Sequence, residues 1–163
     1  MSVARKLNRR YLMIIVLVLT AGLSLLLAGC GKTENSAREQ VRVLSQEEVV
    51  AVFAEQDLAL QAGEEVPSST FQLELNGLKP QTYSLDGVEL SLYQFASEEE
   101  RSAGWKAFGE QTAAADLIPF KDYQEGSVLM FYIHGVSGAE GQKWNGQIDM
   151  QLKAVMQGLI AAQ

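Results

Sequence analysis

Two alternating apolar–polar stretches meet at Asp86-Gly87, and that junction restricts the fold more than any other part of the 163-residue chain. Asp-Gly is a preferred pair for a tight hairpin turn, which needs positive φ at its central residues. Tyr83-Ser84-Leu85 precedes the pair, and Val88, Leu90 and Leu92 continue the alternation to about Phe95. Side chains two residues apart share one face of a strand, so the hairpin has an apolar face that must be covered.

The flanking segments supply the cover. Ser45-Gln46-Glu47-Glu48 has the spacing of a capping box, serine followed three residues later by glutamate, and so opens a helix. Val49, Val52, Phe53 and Leu60 recur at helical spacing, which predicts a helix ending near Ala62-Gly63. Phe71 to Leu75 alternates as a strand with one wet face, and Asn76-Gly77 marks a turn. Ser97 and Glu100 form a second capping box, predicting a helix to about Ala115 with Trp105 and Phe108 on its buried face. Gly104 and Gly109 each cost that helix about 1 kcal/mol relative to alanine, so it needs a sheet to lie on. Pro119 closes it. Val128 to Ile133 is an unbroken apolar run, the pattern of an inner strand covered on both faces. Trp144, Ile148, Leu152, Val155 and Leu159 mark a last helix. The predicted order is α-β-β-β-α-β-α: an α+β, two-layer sandwich with helices on a mostly antiparallel sheet of about four strands.

The N-terminus has a different character. Arg5, Lys6, Arg9 and Arg10 precede an apolar run from Tyr11 to Leu27, then small residues, which is the layout of an export signal. Leu27-Ala28-Gly29-Cys30 resembles the lipobox of bacterial lipoproteins, at the expected end of the apolar segment. The resemblance implies a diacylglyceryl group on the Cys30 thiol and cleavage between Gly29 and Cys30. It divides the chain into a signal peptide (1–29), a polar tether (30–44) and one extracytoplasmic domain (45–163), held to the cell membrane through lipid. Two acyl chains suffice for stable anchoring, whereas one binds reversibly. From Leu85 to Gly135 the chain also resembles small uncharacterised lipoproteins of Gram-positive bacteria, in LDGVELSLYQF, SEEERSAGW and EQTAAADLIPF. That family lends no activity.

Cys30 is the only cysteine, so its acylation leaves a domain without disulfides, thiolate metal sites or cysteine catalysis. Four of the thirteen basic residues and none of the twenty acidic ones lie before Cys30; the chain beyond keeps nine against twenty, a net charge of −11. Such a domain is repelled by nucleic acid and by anionic lipid, which excludes nucleic acid as a partner.

Candidate chemistry is sparse. His134 is the single histidine, and Ser137 follows in Gly135-Val136-Ser137-Gly138-Ala139, which resembles a nucleophile elbow with Ala139 in place of the last glycine. A triad draws its histidine from a distant part of the fold, so these two residues read better as a strand end and a connector. Gly135, Gly138, Gly141 and Lys143 have the placement of a phosphate-cradling loop but miss its spacing, and Glu140 would repel phosphate. Glu98, Glu99 and Glu100 suit the first turn of a helix, where the dipole favours negative charge. No metal or cofactor is assigned. Leu117, Ile118, Phe120 and Tyr123 place apolar groups in a predicted loop, either to staple it to the sheet or to form a docking patch for an envelope protein. The expectation is a lipid-anchored binding protein that catalyses nothing. The alternatives are a small envelope hydrolase using His134 and Ser137, and a structural or stress-related envelope component.

Overall fold

The hairpin forms as its turn chemistry demands. In the computed structural model, which describes residues 41–66, 69–134 and 144–163, β2 (Gln81–Leu85) and β3 (Val88–Gln94) pair antiparallel and close on Leu85↔Val88. Asp86 and Gly87 take φ of 49° and 80°, both left-handed, as the two-residue turn requires.

Around this hairpin stand α1 (Gln46–Ala54), β1 (Leu60–Ala62), α2 (Glu98–Thr112), β4 (Lys121–Glu125), β5 (Val128–Ile133) and α3 (Gly146–Ala162). The five strands form one antiparallel sheet in the order β1-β2-β3-β5-β4. The fold is α+β in the expected element order. It has one strand more than expected, because β1 forms in place of the strand expected at 71–75 and β4 hairpins into β5 through Gly126-Ser127. Only Tyr123 in Lys121-Asp122-Tyr123-Gln124-Glu125 is apolar and buried, so this edge strand carries little periodic signal.

Both faces of the sheet are covered. Val128, Met130 and Tyr132 point to one side, with Val49, Val52 and Phe53 of α1 and Ile148, Leu152, Val155 and Leu159 of α3. Leu129, Phe131 and Ile133 point to the other, toward Phe71, Tyr93, Phe95 and Phe108. The expected two layers thus gain a third, made by α2 and the 71–78 segment, and β5 is the inner strand that its apolar run predicts. Each fully buried large side chain contributes roughly 1.5–3 kcal/mol, so both cores matter to stability. The second core is aromatic: ring centroids of Phe108 and Phe131 lie 4.5 Å apart, and Phe71 and Phe120 4.9 Å. Gly104 allows α2 its close approach, since a Cβ there would overlap the Phe95 ring.

Two predicted elements are corrected. The first helix stops at Ala54 rather than near Ala62, and Leu60, expected on that helix, begins β1. Asp57 turns left-handed at φ 57°, the Leu58 N–H donates to the Phe53 carbonyl and the Asp57 N–H to that of Ala54. This is a Schellman closure, with Phe53 and Leu58 both buried in the core. Phe71 to Leu75 is not a strand: Thr70–Gln72 is a 3-10 turn, and a single Leu75↔Leu78 bridge flanks the Asn76-Gly77 turn. Pro80 follows and lacks the N–H that would extend a ladder. The segment lies on the sheet face instead, pinned by the Tyr93 hydroxyl, which lies 3.1 and 2.7 Å from the Phe71 and Leu73 carbonyl oxygens.

Polar side chains clamp the ends. Gln94 is buried; its Oε1 accepts from the Leu44 N–H and its Nε2 donates to the Leu44 carbonyl, at 2.8 and 3.0 Å. Ser45 and Glu48 form the expected capping box. The Arg42 guanidinium and the Ser45 N–H hold the Glu48 carboxyl below the ordinary carboxylate range. The second box is half formed, because Glu100 accepts from Ala96 while Ser97 accepts from Glu100. Arg101, buried on α2, donates from Nε to the Gly126 carbonyl at 2.7 Å and from Nη1 to Gln124 Oε1 at 2.6 Å, tying the helix to the β4–β5 turn.

Candidate functional site

The four residues expected in one apolar loop separate. Tyr123 lies on β4 and is buried in the α1–α3 core. Phe120 is half-buried in the aromatic core, 5.8 Å from the Phe131 ring and 6.0 Å from Phe108, where it staples the loop to the sheet. Leu117 is half-buried and Ile118 exposed. These last two line an open cleft of about 280 Å³ with Val66, Phe71, Glu89 and Asp116. A second cleft of about 320 Å³ shares Val66 and carries Glu65, Glu74 and Lys79.

Glu89 forms the charged wall of the first cleft. It is half-buried on β3, where its Oε1 accepts from the Ser69 hydroxyl and from Gln72 Nε2, both at 2.9 Å. Gln72 also holds the 64–66 segment, accepting from the Val66 N–H and donating to the Glu64 carbonyl. Among the described residues no lysine or arginine pairs with Glu89. Sequence reading missed this acid because Glu89 occupies an ordinary polar position of an alternating strand. Its meeting with Asp116 and Ile118 is created by the 69–72 turn and the end of α2.

His134 follows β5 and is half-exposed. Its ring stacks on Tyr132 and Trp144, with centroids 6.2 and 6.3 Å away. Lys121 Nζ sits 4.5 Å from the Trp144 centroid, a cation–π contact. Trp144 Nε1 donates to the Tyr123 hydroxyl at 3.3 Å, and that hydroxyl donates to Asp149 Oδ1 at 3.1 Å. Burial pushes the Tyr123 hydroxyl up from its ordinary pKa. The Lys153 ammonium, 2.7 Å away, holds the Asp149 carboxyl below its usual range. The cluster joins β4, β5 and α3 and sets two rings against the histidine, so its geometry is that of a packed strand end.

Ser137 and the glycines of its loop lie outside the described residues, as do Gly29 and Cys30. Among the described residues, no group of three or more histidine, cysteine or acidic side chains is placed to hold a metal. Nor is any described helix long and apolar enough to cross a membrane. No family model, curated protein or solved structure matches the chain.

Proposed function

We propose that this chain is a lipoprotein, acylated at Cys30 and held at the extracytoplasmic face of the cell membrane, whose folded domain binds an envelope partner and performs no chemistry. The observation that carries the anchoring is Leu27-Ala28-Gly29-Cys30 at the end of an apolar run preceded by four basic residues. The start of the domain suits a tethered protein. Leu44 is buried and clamped by Gln94, and Arg42 bonds both Glu48 and the Ala162 carbonyl. Binding rather than catalysis is supported by His134, the single histidine, whose ring packs against Tyr132 and Trp144 at the end of β5.

Mass spectrometry of the N-terminal peptide is the test of anchoring. Acylated Cys30 is expected as the first residue, and Cys30→Ala is expected to lose the acyl mass; an unmodified Cys30 still preceded by Gly29 refutes the reading. For catalysis, the purified protein is expected to turn over no ester, peptide or glycan substrate. Turnover that disappears in His134→Ala would establish the hydrolase instead.

A further inference from the structure

We infer, building on the binding reading above, that the cleft between Val66 and Ile118 docks a basic, apolar peptide segment of a partner protein. Four large apolar side chains are exposed among the described residues, and two of them, Val66 at 41 % and Ile118 at 42 %, line this one cleft. Phe71 and Leu117 add apolar surface beside them. About 280 Å³ is small for a drug-sized ligand and suits one or two side chains of a longer segment.

Charge selects the occupant. Among the described residues Glu89 and Asp116 are the charged groups of the cleft, and no described cation lines it. Glu89 is partly withdrawn from water and, among the described residues, accepts from a hydroxyl and an amide rather than from a cation. A carboxylate in that setting attracts a cation more strongly than one in bulk water, and charge-assisted bonds exceed neutral ones in strength. The neighbouring cleft adds Glu65 and Glu74 against Lys79. A second copy of the chain would bring the same excess of negative charge, and so would an anionic lipid surface.

The cleft is also set apart from the start of the domain. Gln94 at one end of β3 clamps the start of the domain, and Glu89 stands at the other end. Five steps along the strand separate them by roughly 17 Å, so Glu89 stands at the far end of β3 from the clamp on Leu44.

The test uses the mature acylated protein in detergent micelles and fluorescence anisotropy of a labelled Lys-Leu-Lys-Leu-Lys peptide. Lys-Ser-Lys-Ser-Lys and Glu-Leu-Glu-Leu-Glu serve as controls. Saturable binding of the first peptide alone is expected. Glu89→Gln and Ile118→Ser should each weaken it at least about fivefold, the loss typical of a contact that matters. Asp116→Asn should weaken it about two- to fivefold, as an exposed charge does. Glu55→Gln removes the same charge from exposed surface elsewhere and should leave affinity within about twofold. Absence of saturable binding overturns the proposal, as does an equal loss in Glu55→Gln, which would mark general attraction to an acidic protein. A dimer seen by sedimentation and dissolved by Ile118→Ser, with peptide binding untouched, would identify a second copy as the occupant and also overturn it. Mass spectrometry of the same preparation separates the two readings. Acylated protein that ignores the peptide refutes the docking site alone, and unacylated protein that binds it refutes the anchoring alone.

Discussion

Ser91 illustrates how much a single side chain can hide. It is fully buried on β3, and its hydroxyl has no hydrogen-bond partner among the described residues. An unsatisfied buried hydroxyl costs about 1–3 kcal/mol, so Ser91→Ala should stabilise the domain by about 1 kcal/mol, read as a raised denaturant midpoint at unchanged slope. A lowered midpoint would mean that the hydroxyl is satisfied after all. Phe120 gives the opposite case. Its ring touches three others in the aromatic core, so Phe120→Ser should cost about 2 kcal/mol, less than a fully buried phenylalanine because the ring is half-exposed. Thermal unfolding checks this, and an unchanged midpoint would return Phe120 to the candidates for partner contact. The sequence marked Phe120 as apolar in a loop. It did not contain the distances that distinguish a staple from a docking residue.

Among the elements, the β2–β3 hairpin and the β4–β5 hairpin differ in what their sequences reveal. Asp86-Gly87 states its turn type directly, because few residues accept φ near 49° and 80° in succession. Gly87→Val should therefore destabilise the domain by about 1–2 kcal/mol, the cost of a β-branched residue held in the left-handed region. Equal stability by thermal denaturation would show that the turn relaxes. Gly126-Ser127 is also a recognised hairpin pair, but its first strand is polar and lies at the sheet edge. The signal was available at the turn and absent from the strand. Helix ends follow the same logic. Ser45 and Glu48 announce a start through local hydrogen bonds, whereas the stop at Ala54 depends on Leu58 folding back against the core beside Phe53.

At the scale of the whole molecule, the four tyrosines of the domain link stability to pH. Burial pushes Tyr83 and Tyr132 up to about 12, and raises Tyr93 and Tyr123 as well. A tyrosine that titrates higher in the folded state keeps its proton there while the unfolded chain loses it near pH 10. The unfolded state then binds fewer protons, so stability is full below about pH 10 and falls as pH rises from there toward 12. Absorbance of tyrosinate and circular dichroism, followed together, should change in one cooperative step above pH 10. Reversible ionisation near pH 10 without loss of structure would contradict the burial of these hydroxyls. The domain carries all of this without a cysteine in its described residues, so both cores must supply its stability by packing.

The amino-acid order determined what is encoded within a few residues: the Asp86-Gly87 turn, the Ser45–Glu48 cap, the inner strand from Val128 to Ile133, the helical stripes of α1, α2 and α3, and the α+β class that follows from them. Periodicity and turn chemistry are local, so they are legible before folding. Only the tertiary structure decided the rest. It laid Phe71 to Leu75 on the sheet face rather than in the sheet, and enclosed Tyr123 on one side while Phe120 packed on the other. It also brought Val66, Glu89, Asp116 and Ile118 to one cleft from three separate stretches of chain. Those outcomes depend on which surfaces meet after long loops close, and no window of neighbouring residues contains that choice.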